Sequence, residues 1–257
     1  MKKNKLSVVV IAKNEEDKID ECLRSVDWAD EIVLIDNGSV DRTVAIAKQH
    51  KAKVFFKLTG SYKDLRNEGL KQAKNEWLFY LDADERITPE LRDEIKLKIV
   101  NCELKINESA YAIPRKNIIL GKEMRYGGWW PDYVKRLFLK VNLNSWKGDL
   151  HEEPEFTGEM GFLTKPMIHL KHNNLHDMAV KTNKWSNTEA KLLLDANHPP
   201  MVSWRFFRVM LTELFYRLFV KKGILDGLEG VVYATYQSFS KFATYAKLWE
   251  KQTLKKH

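Results

Sequence analysis

Apolar positions in the first hundred residues fall into short continuous runs separated by amphipathic stretches. LSVVVIA (6–12), EIVLID (31–36), KVFFK (53–57) and WLFYL (77–81) are β-branched or aromatic with little polar alternation. That is the pattern of strands buried on both faces of a parallel sheet. The intervening segments have helical spacing. In EEDKIDECLRSV, Ile19, Leu23 and Val26 share one side. VDRTVAIAKQH turns Val44 and Ala47 inward behind the expected cap Ser39, and YKDLRNEGLKQAKNE is the third such segment. Strands alternating with helices of this length predict βαβ units, right-handed crossovers and an α/β fold.

The pattern changes after Thr88, which is expected to cap a helix carrying Pro89 in its first turn. YAIPRKNIIL (111–120) and VKRLFLKV (134–141) read as strands of an antiparallel extension, with Gly121, Gly127 and Gly128 marking turns. Helical spacing returns from Leu175 to Leu194. His198, Pro199 and Pro200 interrupt it, which sets a boundary between a first region, 1–198, and a second, 199–257. Two helices joined by GILDG fill the second region. In the first, Phe207, Met210, Leu211, Leu214, Phe215 and Leu218 are flanked by Arg205, Arg208, Arg217, Lys221 and Lys222, a composition suited to a membrane interface. In the second, Leu228, Val232, Thr235, Phe239, Phe242, Ala246 and Trp249 form a seam for a neighbouring helix or a second copy of the chain.

Composition adds bounds. The 257 residues are 44% hydrophobic and 30% charged, enough for a sizeable core under a charged surface. No apolar stretch reaches the roughly 18 residues that span a bilayer, and MKKNKLSVVVIAKNEED reads as a first strand and not as a cleaved signal. Cys22 and Cys102 offer neither a disulfide framework nor metal-ligand spacing, as expected in a reducing compartment. The net charge of +8 favours an anionic partner: nucleic acid, phospholipid or a phosphate-bearing substrate. Nothing beyond that charge supports nucleic acid.

The strand ends carry the chemistry. Asn14 and Glu15 follow the first strand, Asp36 closes the second, and Asp82, Ala83 and Asp84 close the fourth. Open parallel sheets bind ligands at the carboxyl ends of their strands, so three polar clusters from distant parts of the chain are expected on one rim. Two carboxylates at i and i+2 there need a counter-charge. A divalent cation, Mg²⁺ or Mn²⁺, supplies one and takes substrate phosphate oxygens as further ligands. A phosphatase of the D-x-D-x-T type needs Thr where Arg86 stands. A nucleotidyltransferase usually carries a glycine-rich basic loop after its first strand, where this chain has AKNEED.

VVVIAKNEE, EIVLIDNGSVDRT and LRNEGLKQAKNEWLFYLDADERI, in that order, resemble the family 2 glycosyltransferases over roughly residues 5–100. The resemblance implies a GT-A fold over 1–198, an inverting mechanism and a nucleotide-sugar donor. It implies that Ala12, Asn14 and Glu15 border the nucleotide, that Asp36 accepts a hydrogen bond from the base, and that Arg66 lies near base or diphosphate. Asp82, Ala83 and Asp84 then form the D-x-D, with Asp84 and Asp82 on the metal and His169, as in some proteins of this fold, completing its ligands. GDLHEEPEF, HLKHNNLHDMAVKTNKWSNTEAK and the tail are similar to the subgroup that glucosylates heptose in the lipopolysaccharide inner core. That implies UDP-glucose as donor, a glycolipid acceptor and work at the inner face of the cell membrane. Bacterial peptide glycosyltransferases share part of the pattern, so a peptide or another glycan is the alternative acceptor, and a non-catalytic membrane scaffold is the alternative outside enzymology. For the base that deprotonates the acceptor, HEE offers Glu152 first, Glu153 as its rival and His151 as a third candidate.

Overall fold

A computed structural model of the chain describes residues 4–101, 108–148 and 152–254. Its first half follows the alternation: β1 Leu6–Ala12, α1 Glu16–Arg24, β2 Glu31–Asp36, α2 Thr43–Gln49, β3 Lys53–Phe56, α3 Tyr62–Gln72 and β4 Trp77–Asp82. Beyond these come β5 Glu85–Arg86, α4 Pro89–Asn101, β6 Glu108–Ile119, β7 Lys122–Met124 and β8 Tyr133–Leu139. They are followed by β9 Leu143–Lys147, β10 Glu153–Phe156, β11 Glu159–Phe162 and β12 Met167–His172. Helices α5 Leu175–Asp195, α6 Ser203–Phe215 and α7 Gly227–Leu254 complete the described chain.

The chain divides into two compact units. The first holds residues up to Arg115 together with Asp132–His169; the second holds Lys116–Pro131 and the residues from Leu170 onward. In the first unit β3, β2, β1 and β4 lie side by side and parallel, and β8 and β6 extend the sheet antiparallel. The α/β reading therefore holds, with its parallel half and its antiparallel extension. β1 is buried along its whole length because both faces are covered. Val8 and Val10 point into one core layer with Ile19, Leu23 and Leu91, and Val9 and Ile11 into the other with Leu65, Tyr80 and Phe138. Such a strand has no solvent face, and so it reads as an unbroken apolar run.

Thr88 caps α4, its Oγ1 accepting from the Leu91 amide at 3.2 Å. Ser61 and Asp64 form a capping box on α3. Ser39 does not cap α2: that helix starts at Thr43, and the Ser39 hydroxyl accepts from the Asn14 amide at 2.9 Å.

In the second unit α5 and α7 pack together, joined by the Tyr236 hydroxyl donating to Thr182 Oγ1 at 2.7 Å and by Lys247 on Asn183 and Ser186. Helix α5, which the sequence boundary at 198 assigns to the first region, thus shares a unit with α6 and α7. Trp129 is taken up by packing, its ring 5.3 Å from that of Tyr233 and the Lys171 ammonium over its face. Among the described residues no helix is long and apolar enough to cross a membrane.

Candidate active site

Parallel register sets the first contacts of the site. Ala12 lies opposite Asp36 and Ile11 opposite Asp82, so the ends of β2 and β4 flank the end of β1. Asp36 is fully buried. Its Oδ2 accepts the amides of Gly38 and Ser39 at 2.9 and 3.0 Å, while Oδ1 is buried with no partner among the described residues. A buried carboxylate oxygen without a donor is costly, and a ligand N–H offers the missing bond. Asn14 sits in the left-handed region at φ 53°, a conformation Asn tolerates, and its Oδ1 accepts from the Val40 amide at 2.9 Å. Glu15 offers its amide to Thr43 Oγ1 at 2.8 Å and its carboxylate to Lys18 at 3.3 Å. These bonds tie the loop after β1 to the loop after β2 and shape the floor between Ala12 and Asp36.

The acids after β4 have neutralising partners that sequence reasoning missed. Arg136, buried on β8, places one nitrogen against Asp82 Oδ2 and at 2.7 Å from Glu85 Oε1. Arg66 of α3 reaches Asp82 Oδ1 at 3.1 Å, and Arg115 reaches Glu85 Oε1 at 3.3 Å. The Glu85 carboxylate also accepts the Asp82 amide at 3.0 Å, closing the turn on itself. Burial pushes the Asp82 carboxyl up, but Arg136 and Arg66 outweigh it and hold the acid well below the usual carboxylate range. Two guanidiniums thus supply Asp82 with counter-charge. One partial sign was present in VKRLF, where a charged residue interrupts an apolar strand without matching a solvent-facing alternation.

Aromatic packing fixes Arg66. Its guanidinium lies 4.8 Å from the ring of Trp146 and 5.6 Å from that of Tyr80. Asn67 clamps β9 by exchanging two bonds with the Trp146 backbone, at 2.8 and 3.1 Å. Below the acidic turn, the buried Cys22 thiol points at the Asp82 carbonyl, 3.6 Å away; burial pushes it far above ordinary thiols, so it is an inert packing residue. Cys102 lies outside the described residues. Arg86, buried, donates to the carbonyls of Ala83, Glu85 and Lys18 and so staples the same turn to α1.

Asp84 has a different neighbour. The short pairing of β12 with β5 sets His169 opposite Glu85, and the His169 Nε2 stands 3.6 Å from Asp84 Oδ2. A carboxylate and an imidazole suit Mn²⁺ and, with more strain on preference, Mg²⁺. Among the described residues no group of three or more His, Cys, Asp or Glu side chains could hold a metal. The residues therefore fit a cation that takes two protein ligands, Asp84 and His169, with the remainder from phosphate oxygens and water.

A cavity of about 400 Å³ opens beside the acids. Arg66, Asp82, Arg136, Tyr133, Trp146, Glu152 and Glu153 are among the residues that line it. Glu152 and Glu153 thus meet Asp82 across some seventy residues of chain. Glu153 is exposed and bonded to Lys135 at 2.5 Å, whereas Glu152 is half-buried and faces the same space. His151, the third base candidate, lies outside the described residues. Tyr62, at the start of α3, reports how the acids converge: burial raises its phenol, and the charges of Asp82, Glu15, Asp84 and Glu152 raise it further.

Residues 7–97 match the family model described as glycosyl transferase family 2. An uncharacterized glycosyltransferase of Rickettsia bellii is 28% identical over 258 residues, spanning 96% of this chain and 86% of its own length. The lipopolysaccharide core biosynthesis glycosyltransferase LpsC of Rhizobium meliloti is 26% identical over 266 residues, with 97% and 94% covered. Among solved structures, TarS 1–349 of S. aureus in complex with UDP-GlcNAc is similar at 15% identity and a TM-score of 0.49, over 96% of this chain and 88% of that one. Residues 7–97 are a family 2 glycosyltransferase domain, and the chain that carries them is a glycosyltransferase.

Proposed function

We propose that the protein is an inverting hexosyltransferase that moves glucose from UDP-glucose to a hydroxyl of a glycolipid, such as the lipopolysaccharide inner core, at the inner face of the cell membrane. The observation that carries the reading is the shared cavity of Asp82, Glu152 and Glu153 beside the pair Asp84 and His169. It puts a candidate base in one space with Asp82, the last residue of β4. The relative named for lipopolysaccharide core biosynthesis, matched over nearly the whole chain, supports the acceptor class.

The nucleotide would lie over Ala12, with its base donating to the vacant Oδ1 of Asp36 and its edge against the Asn14–Glu15 loop. Arg66, held by Asp82 and stacked on Trp146, would add positive charge near the diphosphate. A divalent cation held by Asp84 and His169 would neutralise charge on the departing diphosphate. Glu152 would take the proton of the acceptor hydroxyl as that oxygen bonds to the anomeric carbon from the face opposite the diphosphate. The bond from that carbon to the phosphate oxygen breaks, and UDP leaves with the electron pair. Glu153, tied to Lys135, is the less available base.

Thermal shift with a panel of nucleotide-sugars, with and without Mn²⁺, tests the donor half. UDP-glucose should raise the melting temperature most, and Asp84→Ala should remove the metal-dependent part of that shift. Glu152→Gln should keep donor binding while transfer falls about 10²–10⁴-fold. A full metal-dependent shift in Asp84→Ala would refute the metal assignment, and unaltered turnover in Glu152→Gln would move the base to Glu153 or His151.

A further inference from the structure

Helix α6 shows a face that the enzyme's chemistry does not use. Its inner side meets α7: the rings of Phe206 and Phe242 stand 5.8 Å apart, and the Ser238 hydroxyl donates to the Met210 carbonyl at 2.9 Å. The opposite side carries Trp204, Phe207, Leu211 and Phe215, which are between 57% and 68% exposed. Their spacing of three, four and four puts them on one stripe of the helix. No residue of α6 is buried. The turn that follows exposes Ile224 and Leu225, and Leu228 at the start of α7 is 74% exposed. A row of large apolar side chains held in water on one helix face marks an interaction surface.

Charge identifies the partner. From Pro199 to Leu225 the chain has five basic residues, Arg205, Arg208, Arg217, Lys221 and Lys222, against the single acid Glu213. That acid is already bonded to Arg217 at 2.5 Å. The guanidiniums of Arg205 and Arg208 lie 5.7 and 5.2 Å from the ring of Trp204, flanking the apolar stripe at its start, and Lys221 and Lys222 are exposed just beyond its end. An indole bracketed by cations, with leucine and phenylalanine beside it, matches the boundary between lipid headgroups and acyl chains. A protein partner would need acids facing the basic ends and apolar side chains facing the stripe, whereas an anionic bilayer presents both everywhere.

We propose that the exposed face of α6, with the turn at Ile224 and Leu225, docks the protein onto an anionic lipid surface, lying in the interface without crossing it. The proposal does not depend on which sugar is transferred, and its link to the reading above is only that a glycolipid acceptor resides in a membrane.

Flotation of the full chain with vesicles tests it. The protein should rise with phosphatidylcholine vesicles containing phosphatidylglycerol and remain below with phosphatidylcholine alone. Phe207→Glu/Leu211→Glu, at positions that already face water, should keep the melting temperature and lower partitioning at least about 10-fold. Lys221→Gln/Lys222→Gln should weaken binding to the anionic vesicles by about fivefold per residue, and 0.5 M salt should do the same. UDP-glucose hydrolysis without acceptor should be unchanged in all variants, so loss of docking is separable from loss of the catalytic reading. The proposal is overturned if the wild-type chain fails to float with anionic vesicles, or if the Glu variant floats equally well. It is also overturned if light scattering shows a dimer that the Glu variant dissociates, which would make a second copy of the chain the occupant.

Discussion

Arg136 is the residue on which the acidic turn depends most. It is buried, and one of its nitrogens serves both Asp82 and the fully buried Glu85. Arg136→Met keeps the volume and most of the packing but leaves two carboxylates with Arg66 and Arg115 alone, at 3.1 and 3.3 Å. Removing one partner of a buried ion pair costs about 3–5 kcal/mol, because an uncompensated charge stays behind. In a domain of this size each kcal/mol corresponds to about 2–4 °C, so the melting temperature should fall by roughly 10 °C at pH 7.5. The sign of the pH effect follows from Asp82. Its folded carboxyl is held below the ordinary value of about 3.9. The wild-type stabilisation is therefore present above that pH and lost only as pH falls toward the depressed value. In the variant, burial of Asp82 is no longer opposed by Arg136, so Asp82 takes up its proton at higher pH and the penalty is relieved on acidification. The gap between wild type and variant should be widest near pH 7.5 and narrower at pH 5. Adding Glu85→Gln to Arg136→Met should restore part of the loss at pH 7.5. Differential scanning calorimetry at both pH values, backed by urea titration, is the measurement. A variant that melts within a degree of wild type, or a gap that widens on acidification, would refute the assignment of Arg136 as the counter-charge.

Two further outcomes are expected. Asp36→Asn still accepts the Gly38 and Ser39 amides through its carbonyl oxygen, so stability should hold, but its vacant charged acceptor is lost; UDP affinity by calorimetry should fall about 10–100-fold. Gly69→Ala would bring a Cβ to 2.4 Å from Val9 Cγ1, at the packing of α3 on β1, and should cost about 1–3 kcal/mol in denaturant titration; an unchanged midpoint would mean that α3 moves freely on the sheet.

The site was partly legible. Asp36, Asp82 and Asp84 stand out because acids at the ends of apolar runs are conspicuous, and Glu152 is a candidate because HEE follows an antiparallel segment. Arg136 and Glu85 were passed over. A basic residue inside a strand has no local reason to be there, and Glu85 looked like one more acid in an exposed turn when it is the fully buried one. Ser39 was read as a helix cap because its bond to Asn14, 25 residues back, has no trace in its own neighbourhood.

Taken alone, the order of residues determined the buried parallel strands, the helices between them and the set of acids at their ends. Each follows from local periodicity and from burial on two faces, which leave marks within a few positions. What required the folded chain was the pairing of charges: which acid is held by arginines and which one stands beside an imidazole. Asp82 and Asp84 are two residues apart, but their partners come from α3 and β8 in one case and from β12 in the other. A carboxylate's role is set by what lies within a few ångströms of it, and helix packing and strand register bring those neighbours from 16 to 85 residues away.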